Sequence, residues 1–159
     1  MRIFGFILAL VLAGSIAAAA RAHDGGGSPT PRQGALHVTK DCTGYQGQVD
    51  GHCTITSSNL KGITVGSRVV YAQAAGATSL DSDVVLDVVG PGNNTAFGHC
   101  ALNFKTKLGL CTFWGGTGQF TWFHARVVVS ADSAIPSGWH WEGTYSFGHR
   151  DGDQNGDNQ

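Results

Sequence analysis

The chain has 159 residues, of which 42% are hydrophobic and 13% charged, and it contains 24 glycines and four cysteines. Its formal net charge is −1 at pH 7. Removing Arg2 and Arg21 with an N-terminal signal would leave eight basic residues against eleven acidic ones, a charge of −3. This balance argues against nucleic-acid binding, and the hydrophobic content argues against disorder over most of the chain. We expect one domain.

The first 22 residues have the pattern of a cleavable export signal. Met1-Arg2 gives a short positive start, an apolar run extends from Ile3 to Leu12, and Ala20-Arg21-Ala22 is a small-residue cleavage motif. A membrane anchor is the alternative, but the apolar stretch is marginal for a span. Because later apolar runs are only strand-sized, we expect a secreted or periplasmic protein with no membrane span after signal cleavage.

The two ends of the mature chain have no apolar periodicity. Residues 23–35 are rich in Gly, Pro and Ser and predict a flexible leader, and residues 148–159 predict a disordered acidic tail. The tail matches the first half of an EF-hand loop, but the chain ends before the glutamate ligand that such a loop needs. The folded domain is therefore predicted over residues 36–147.

Within this domain, short β-type runs alternate with turns rich in Gly, Asn, Asp, Ser or Pro. The last run is the clearest, because Trp139, Trp141 and Tyr145 fall on one face and His140 and Glu142 on the other. Many short strands without helices between them predict an all-β fold, either a sandwich or a barrel. We favour a single antiparallel β-barrel of about eight strands. The predicted runs are 67–73, 82–89, 96–104, 108–114, 119–131 and 139–147.

The four cysteines predict two disulfides in an exported chain. Cys42 and Cys53 are eleven positions apart, as are Cys100 and Cys111. If residues 104–107 form a four-residue turn, Cys100 and Cys111 face each other across a hairpin, at a separation that suits a disulfide. A zinc site is the alternative, but the close cysteine pairs typical of zinc ligands are absent from the sequence. We expect no metal and no cofactor.

Candidate catalytic residues are few. Glu142 is the only glutamate of the chain, and His99, His124 and His140 lie on predicted strands. These histidines share no short metal-ligand spacing, so structural or solvent-facing roles compete with a catalytic one. His23 would begin the mature chain as in copper monooxygenases, but the glycines after it could not hold such a site rigid. The catalytic residues therefore remain unknown, with Glu142, His99 and His124 as candidates.

Three segments resemble a known family. They are the run from Cys111 through Trp114-Gly-Gly-Thr-Gly-Gln-Phe, the run Ala125-Arg-Val-Val-Val, and the closing Trp141-Glu-Gly-Thr-Tyr. Together with the early segment from Cys53 to Tyr71, they resemble the allene oxide cyclase barrel-like group, which is related to plant dirigent proteins. The resemblance covers about residues 40–147 and implies an eight-stranded barrel with a mostly apolar cavity. The glutamate of the plant cyclases matches no position here, so no catalytic role is transferred.

These observations lead to three functional hypotheses. The first is non-catalytic binding of a small apolar or aromatic molecule, the second a cyclase or isomerase of the same fold, and the third a structural or surface role for a barrel with a filled core. The plant relatives form trimers, which leaves a homo-oligomer open. The candidate residues for lining a ligand cavity are Trp114, Trp122, Phe123, Trp139, Trp141 and Tyr145.

Overall fold

A computed structural model describes residues 32–148, and in it alternating apolar and polar residues form eight strands. The predicted all-β fold is confirmed: the strands close into one barrel in which each pairs antiparallel with its neighbours in sequence and β1 pairs with β8. No helix among the described residues has the length and apolar character needed to cross a membrane. The strands are β1 (Gln33–Asp41), β2 (Gly51–Ser58), β3 (Arg68–Tyr71), β4 (Ser79–Asp87), β5 (Thr95–Asn103), β6 (Leu108–Gly116), β7 (Phe123–Ala131) and β8 (Gly138–Phe147).

Two strands, β1 and β2, were not among the predicted runs. Strand β1 begins at Gln33, three residues before the predicted start of the domain, because its first residues continue the pairing with β8 up to Ser146. The signal, most of the predicted leader and the tail beyond Gly148 lie outside the described residues.

Both predicted disulfides are confirmed. Cys42 is bonded to Cys53 and Cys100 to Cys111, with Cα–Cα distances of 4.3 and 4.1 Å. The hairpin between β5 and β6 has the predicted register, with Asn103 opposite Leu108 and Cys100 opposite Cys111. Two disulfides are typical of proteins in non-reducing compartments.

The connection between β6 and β7 differs from the prediction of a strand beginning at residue 119. Residues Gly118–Phe120 form one 3₁₀ turn, and β7 starts at Phe123. The turn directs the fully buried Phe120 into the end of the barrel where β6 ends and β7 begins. There it packs edge-on against Phe123, with a ring-centroid distance of 5.1 Å. Aromatic side chains therefore fill the end of the barrel at which the described chain begins and ends. They are Phe113, Phe120, Phe123, Tyr145 and Phe147.

Gly143 permits the close approach of β7 and β8. A Cβ at this position would lie 2.0 Å from the carbonyl oxygen of Arg126 and 2.8 Å from the Cα of Val127. Glycine within a strand commonly marks such an approach of another backbone. The backbones of β7 and β8 thus approach each other closely at this position.

Candidate functional site

The opposite end of the barrel carries a pocket of about 750 Å³, which we call the loop-end pocket. The four connections that follow β1, β3, β5 and β7 all contribute to it, because an antiparallel meander brings alternate connections to the same end. Its largest side chains are Tyr45, Phe104 and Trp139, all partly buried. The lining residues are Cys42, Thr43, Tyr45, Gln46, Gly47, Ala75, Gly76, Ala77, Phe104, Pro136, Ser137 and Trp139.

Below this pocket lies a group of four polar or aromatic side chains, Lys40, Tyr45, Tyr71 and Trp141, which we call the lysine cluster. Lys40 follows Leu36 and Val38 on the inward face of β1 and is only 2% exposed. Its Nζ donates a 2.5 Å hydrogen bond to the hydroxyl of Tyr71. The same Nζ lies 4.9 Å from the ring centroid of Trp141 and 5.2 Å from that of Tyr71, within the range of cation–π contact.

Tyr45 belongs both to the lysine cluster and to the lining of the loop-end pocket. Its ring stacks on that of Tyr71 with a centroid distance of 4.9 Å. Gly51 makes room for this ring, since a Cβ at that position would lie 2.6 Å from it. Tyr45 therefore connects the pocket lining to Tyr71, which is the hydrogen-bond partner of Lys40.

Burial determines the protonation of the lysine cluster. Desolvation lowers the pKa of Lys40 to about 7, because the charged ammonium loses its hydration in the barrel. Burial also raises the pKa of Tyr71, and Tyr45 adds to that rise. The pKa of Tyr45 is itself raised by burial. Near neutral pH, the cluster therefore combines two neutral phenols with an amine that is partly deprotonated.

The lysine cluster has more hydrogen-bond donors than acceptors. The Nε1 of Trp141 and the hydroxyl of Tyr45 are buried and have no hydrogen-bond partner among the described residues. The buried polar or charged residues of the described chain are Lys40, Ser67 and Ser82, so no carboxylate is buried with the amine. Buried polar groups are usually paired, and unpaired ones are candidates for contact with a ligand.

A second depression, of about 820 Å³, lies on the outside of the barrel across β6, β7, β8 and the start of β1, and we call it the outer groove. Cross-strand neighbours Thr112, Arg126 and Thr144 lie along it, because Thr112 pairs with Arg126 and Arg126 with Thr144. Trp114 and His124 also line it. Its lining therefore combines polar side chains of the outer strand faces with the indole ring of Trp114.

The predicted cavity residues divide between the inside and the outside of the barrel. Phe123, Trp141 and Tyr145 are buried, and Trp139 lines the loop-end pocket. Trp114 and Trp122, in contrast, are 52% and 51% exposed. Trp114 points outwards because Cys111 and Phe113 occupy the inward positions of β6. Trp122 follows the 3₁₀ turn and precedes the first residue of β7.

The three predicted catalytic candidates all lie on the outer face of the barrel. Glu142 pairs with His37 of β1. His99 bridges two carboxylates, with Nε2 2.8 Å from Asp81 and Nδ1 3.0 Å from Asp83. His124 lines the outer groove. The structure therefore does not bring Glu142, His99 and His124 together in the barrel interior.

Lys40 was not among the candidate residues predicted from the sequence. A signal was present, because Leu36, Val38 and Lys40 share the parity of a strand face, which places a lysine in an apolar row. The run 33–41 was not predicted as a strand, so this parity was not considered.

Comparisons of the chain with family models, curated proteins and solved structures found no match.

Proposed function

We propose that this protein is an exported barrel that binds one small apolar or aromatic molecule in the loop-end pocket, without transforming it through Glu142, His99 or His124. The observation that carries the proposal is the pocket itself, with Tyr45, Phe104 and Trp139 in its walls. Its volume of about 750 Å³ lies within the range of small-molecule sites.

The packing of the barrel supports a ligand at this end. Phe113, Phe120 and Phe123 are almost wholly buried and occupy the far end of the interior. Side chains often fill small barrels of eight strands, which leaves a ligand the mouth of the barrel. We therefore place the ligand above the ring of Tyr45, between the four connections.

Export and family membership belong to the same proposal. The signal pattern of residues 1–22 and the two disulfides support a secreted or periplasmic location. The closed eight-stranded barrel supports a relationship with the allene oxide cyclase barrel-like group. Because one fold carries many activities, this relationship does not assign a reaction.

Blocking the pocket tests the proposal. Ala77 is exposed and lines the pocket, whereas Ala74 is exposed on the same connection and does not line it. We expect the fluorescence of 1-anilinonaphthalene-8-sulfonate to rise on binding to the mature protein. Ala77→Trp should weaken that binding about tenfold or more, the equivalent of about 1.4 kcal/mol, because the indole occupies the pocket.

Ala74→Trp is the matched control and should bind the dye as the unmodified protein does. Equal binding by both variants, or no binding by any of the three proteins, would contradict a ligand site at this end.

A surface role is the second candidate function, and the filled aromatic end and the outer groove favour it. If the protein has a surface role, a partner would contact the exposed Trp114 and Arg126. The dye experiment separates the two functions, because Trp114→Ala would then lower binding while Ala77→Trp would leave it unchanged.

A further inference from the structure

The amine of Lys40 is buried without a carboxylate partner among the described residues, which is unusual for a lysine. A lysine on a strand usually extends its ammonium to solvent or pairs it with a carboxylate. Lys40 does neither: it is 2% exposed, and no carboxylate of the described chain is buried with it. Within the described part of the chain, its one hydrogen-bond partner is the hydroxyl of Tyr71.

These surroundings favour the neutral amine, which is the nucleophilic form. Among the described residues, the titratable group that contacts Lys40 is Tyr71, and Tyr45 stacks on Tyr71. Both are phenols whose pKa is raised by burial. The sulfur of Cys53, 3.8 Å from the Tyr71 hydroxyl, belongs to a disulfide and does not titrate. No anion of the cluster therefore opposes the desolvation that lowers the pKa of the amine. Desolvated lysines of this kind attack carbonyl carbons in proteins.

We propose that Lys40 forms a reversible imine with a small aromatic aldehyde that enters through the loop-end pocket. This inference rests on the proposed function and names the chemical class of its ligand. The aromatic walls of the pocket suit a flat ring. Tyr45 of these walls stacks on Tyr71, whose hydroxyl is hydrogen-bonded to the amine of Lys40.

The reaction needs no additional oxidant or reductant. The Nζ lone pair of Lys40 adds to the carbonyl carbon, and the C=O π pair becomes the carbinolamine oxygen. The Tyr71 hydroxyl, 2.5 Å from Nζ, gives its proton to that oxygen and regains one from the nitrogen. The carbinolamine then loses water to give the imine, so one C=O and one amine become one C=N and one water. The unpartnered N–H of Trp141 is available to hydrogen-bond the oxygen.

Because Lys40 is 2% exposed, an aldehyde reaches it only if side chains move, and we infer that the ring of Tyr45 is the one that moves. The register partner of Lys40 is Trp139, and Cys42 lies two residues further along the chain; both line the pocket. The hydroxyl of Tyr45 has no hydrogen-bond partner within residues 32–148, so the contact to be broken is the stacking of its ring on Tyr71. An aromatic aldehyde replaces that contact with its own ring.

Reductive trapping tests the inference. The oxidised mature protein is treated with benzaldehyde and cyanoborohydride near pH 7.5, and the attached benzyl group is located by peptide mass mapping. We expect Lys40, whose pKa is lowered by burial, to be benzylated at least about tenfold faster than the exposed Lys61, Lys105 and Lys107. The chain's α-amine, which also reacts near this pH, is mapped separately.

Two variants separate chemistry from accessibility. Lys40→Met replaces the amine with an apolar side chain of similar length. It should lose the benzyl group at position 40 and keep labelling of the other amines. Tyr71→Phe keeps the ring that packs on Tyr45 and should slow labelling of Lys40 about tenfold or more, because the proton relay is lost. Labelling of Lys40 in the unmodified protein should level off above about pH 7.

The outcomes distinguish this inference from the proposed function. Benzyl alcohol has the same ring and no carbonyl group, so its displacement of the dye reports binding alone. If benzyl alcohol displaces the dye but Lys40 is labelled no faster than Lys61, the imine is wrong and the binding site stands. If benzyl alcohol does not displace the dye and Lys40 is unlabelled, both are wrong.

Discussion

The buried amine of Lys40 couples the stability of the barrel to pH. In the unfolded chain, its pKa returns to about 10.5, whereas in the barrel burial lowers it to about 7. Between these values the unfolded chain binds the additional proton, so the folded state gains stability as pH rises. Below pH 7, both states hold the proton and the cost of burying the charge is fully present.

Replacing Lys40 by methionine should remove this dependence. We expect the unfolding free energy of the unmodified protein to rise between pH 7 and 10 by up to about 1.4 kcal/mol per unit relative to Lys40→Met. The unfolding free energy of Lys40→Met should thus exceed that of the unmodified protein by the largest amount at pH 6 to 7. Urea denaturation at several pH values measures it, and the range stops at 10 because the raised pKa values of Tyr71 and Tyr45 lower stability above that.

Lys61→Met is the control, since Lys61 is exposed. It should leave the pH profile of the unmodified protein unchanged. Parallel profiles for the unmodified protein and Lys40→Met would show that the interior amine does not titrate in this range.

Among the elements, the hairpin of β5 and β6 was the most predictable from sequence and β1 the least. The spacing of Cys100 and Cys111 and the turn between the strands determine one register, and the structure has it. In β1, Lys40 interrupts the apolar row of inward positions, so the sequence does not show the alternation of a strand. The structure shows it, because Lys40 is buried like Leu36 and Val38. Trp114 shows the converse, because aromatic character suggested the interior whereas strand parity directs the side chain outwards.

The disulfide of this hairpin should contribute strongly to stability. Cys100 and Cys111 are both fully buried in the core. Closing a loop of this length contributes about 3 kcal/mol in the chain-entropy model. Replacing both with alanine should therefore lower the unfolding free energy in urea by about 3 kcal/mol, with a further loss from the space left in the core.

The other disulfide is a matched comparison. Cys42 and Cys53 have the same sequence separation of eleven, but Cys42 is only partly buried at the pocket rim. Replacing both with alanine should cost less than the change in the hairpin. An equal or greater cost would show that burial of the hairpin disulfide adds nothing to loop closure.

At the scale of the whole molecule, closure of the barrel divides its surface into three regions. One end is filled by aromatic side chains, the opposite end holds the loop-end pocket, and the wall carries the outer groove. The sequence predicted the closed fold from its many short strands. It could not locate the pocket, because the pocket is formed by connections that are distant in sequence and meet only on closure.

The central claim is that a small molecule binds at the loop-end pocket, and amide chemical shifts test it most directly. Benzyl alcohol is titrated into the ¹⁵N-labelled mature protein, and the shift of every assigned amide is followed. We expect saturable changes concentrated in residues 42–47, 75–77 and 136–139, and none of comparable size at Thr112 or Arg126. Changes confined to the outer groove, or no saturable change at either region, would contradict the account.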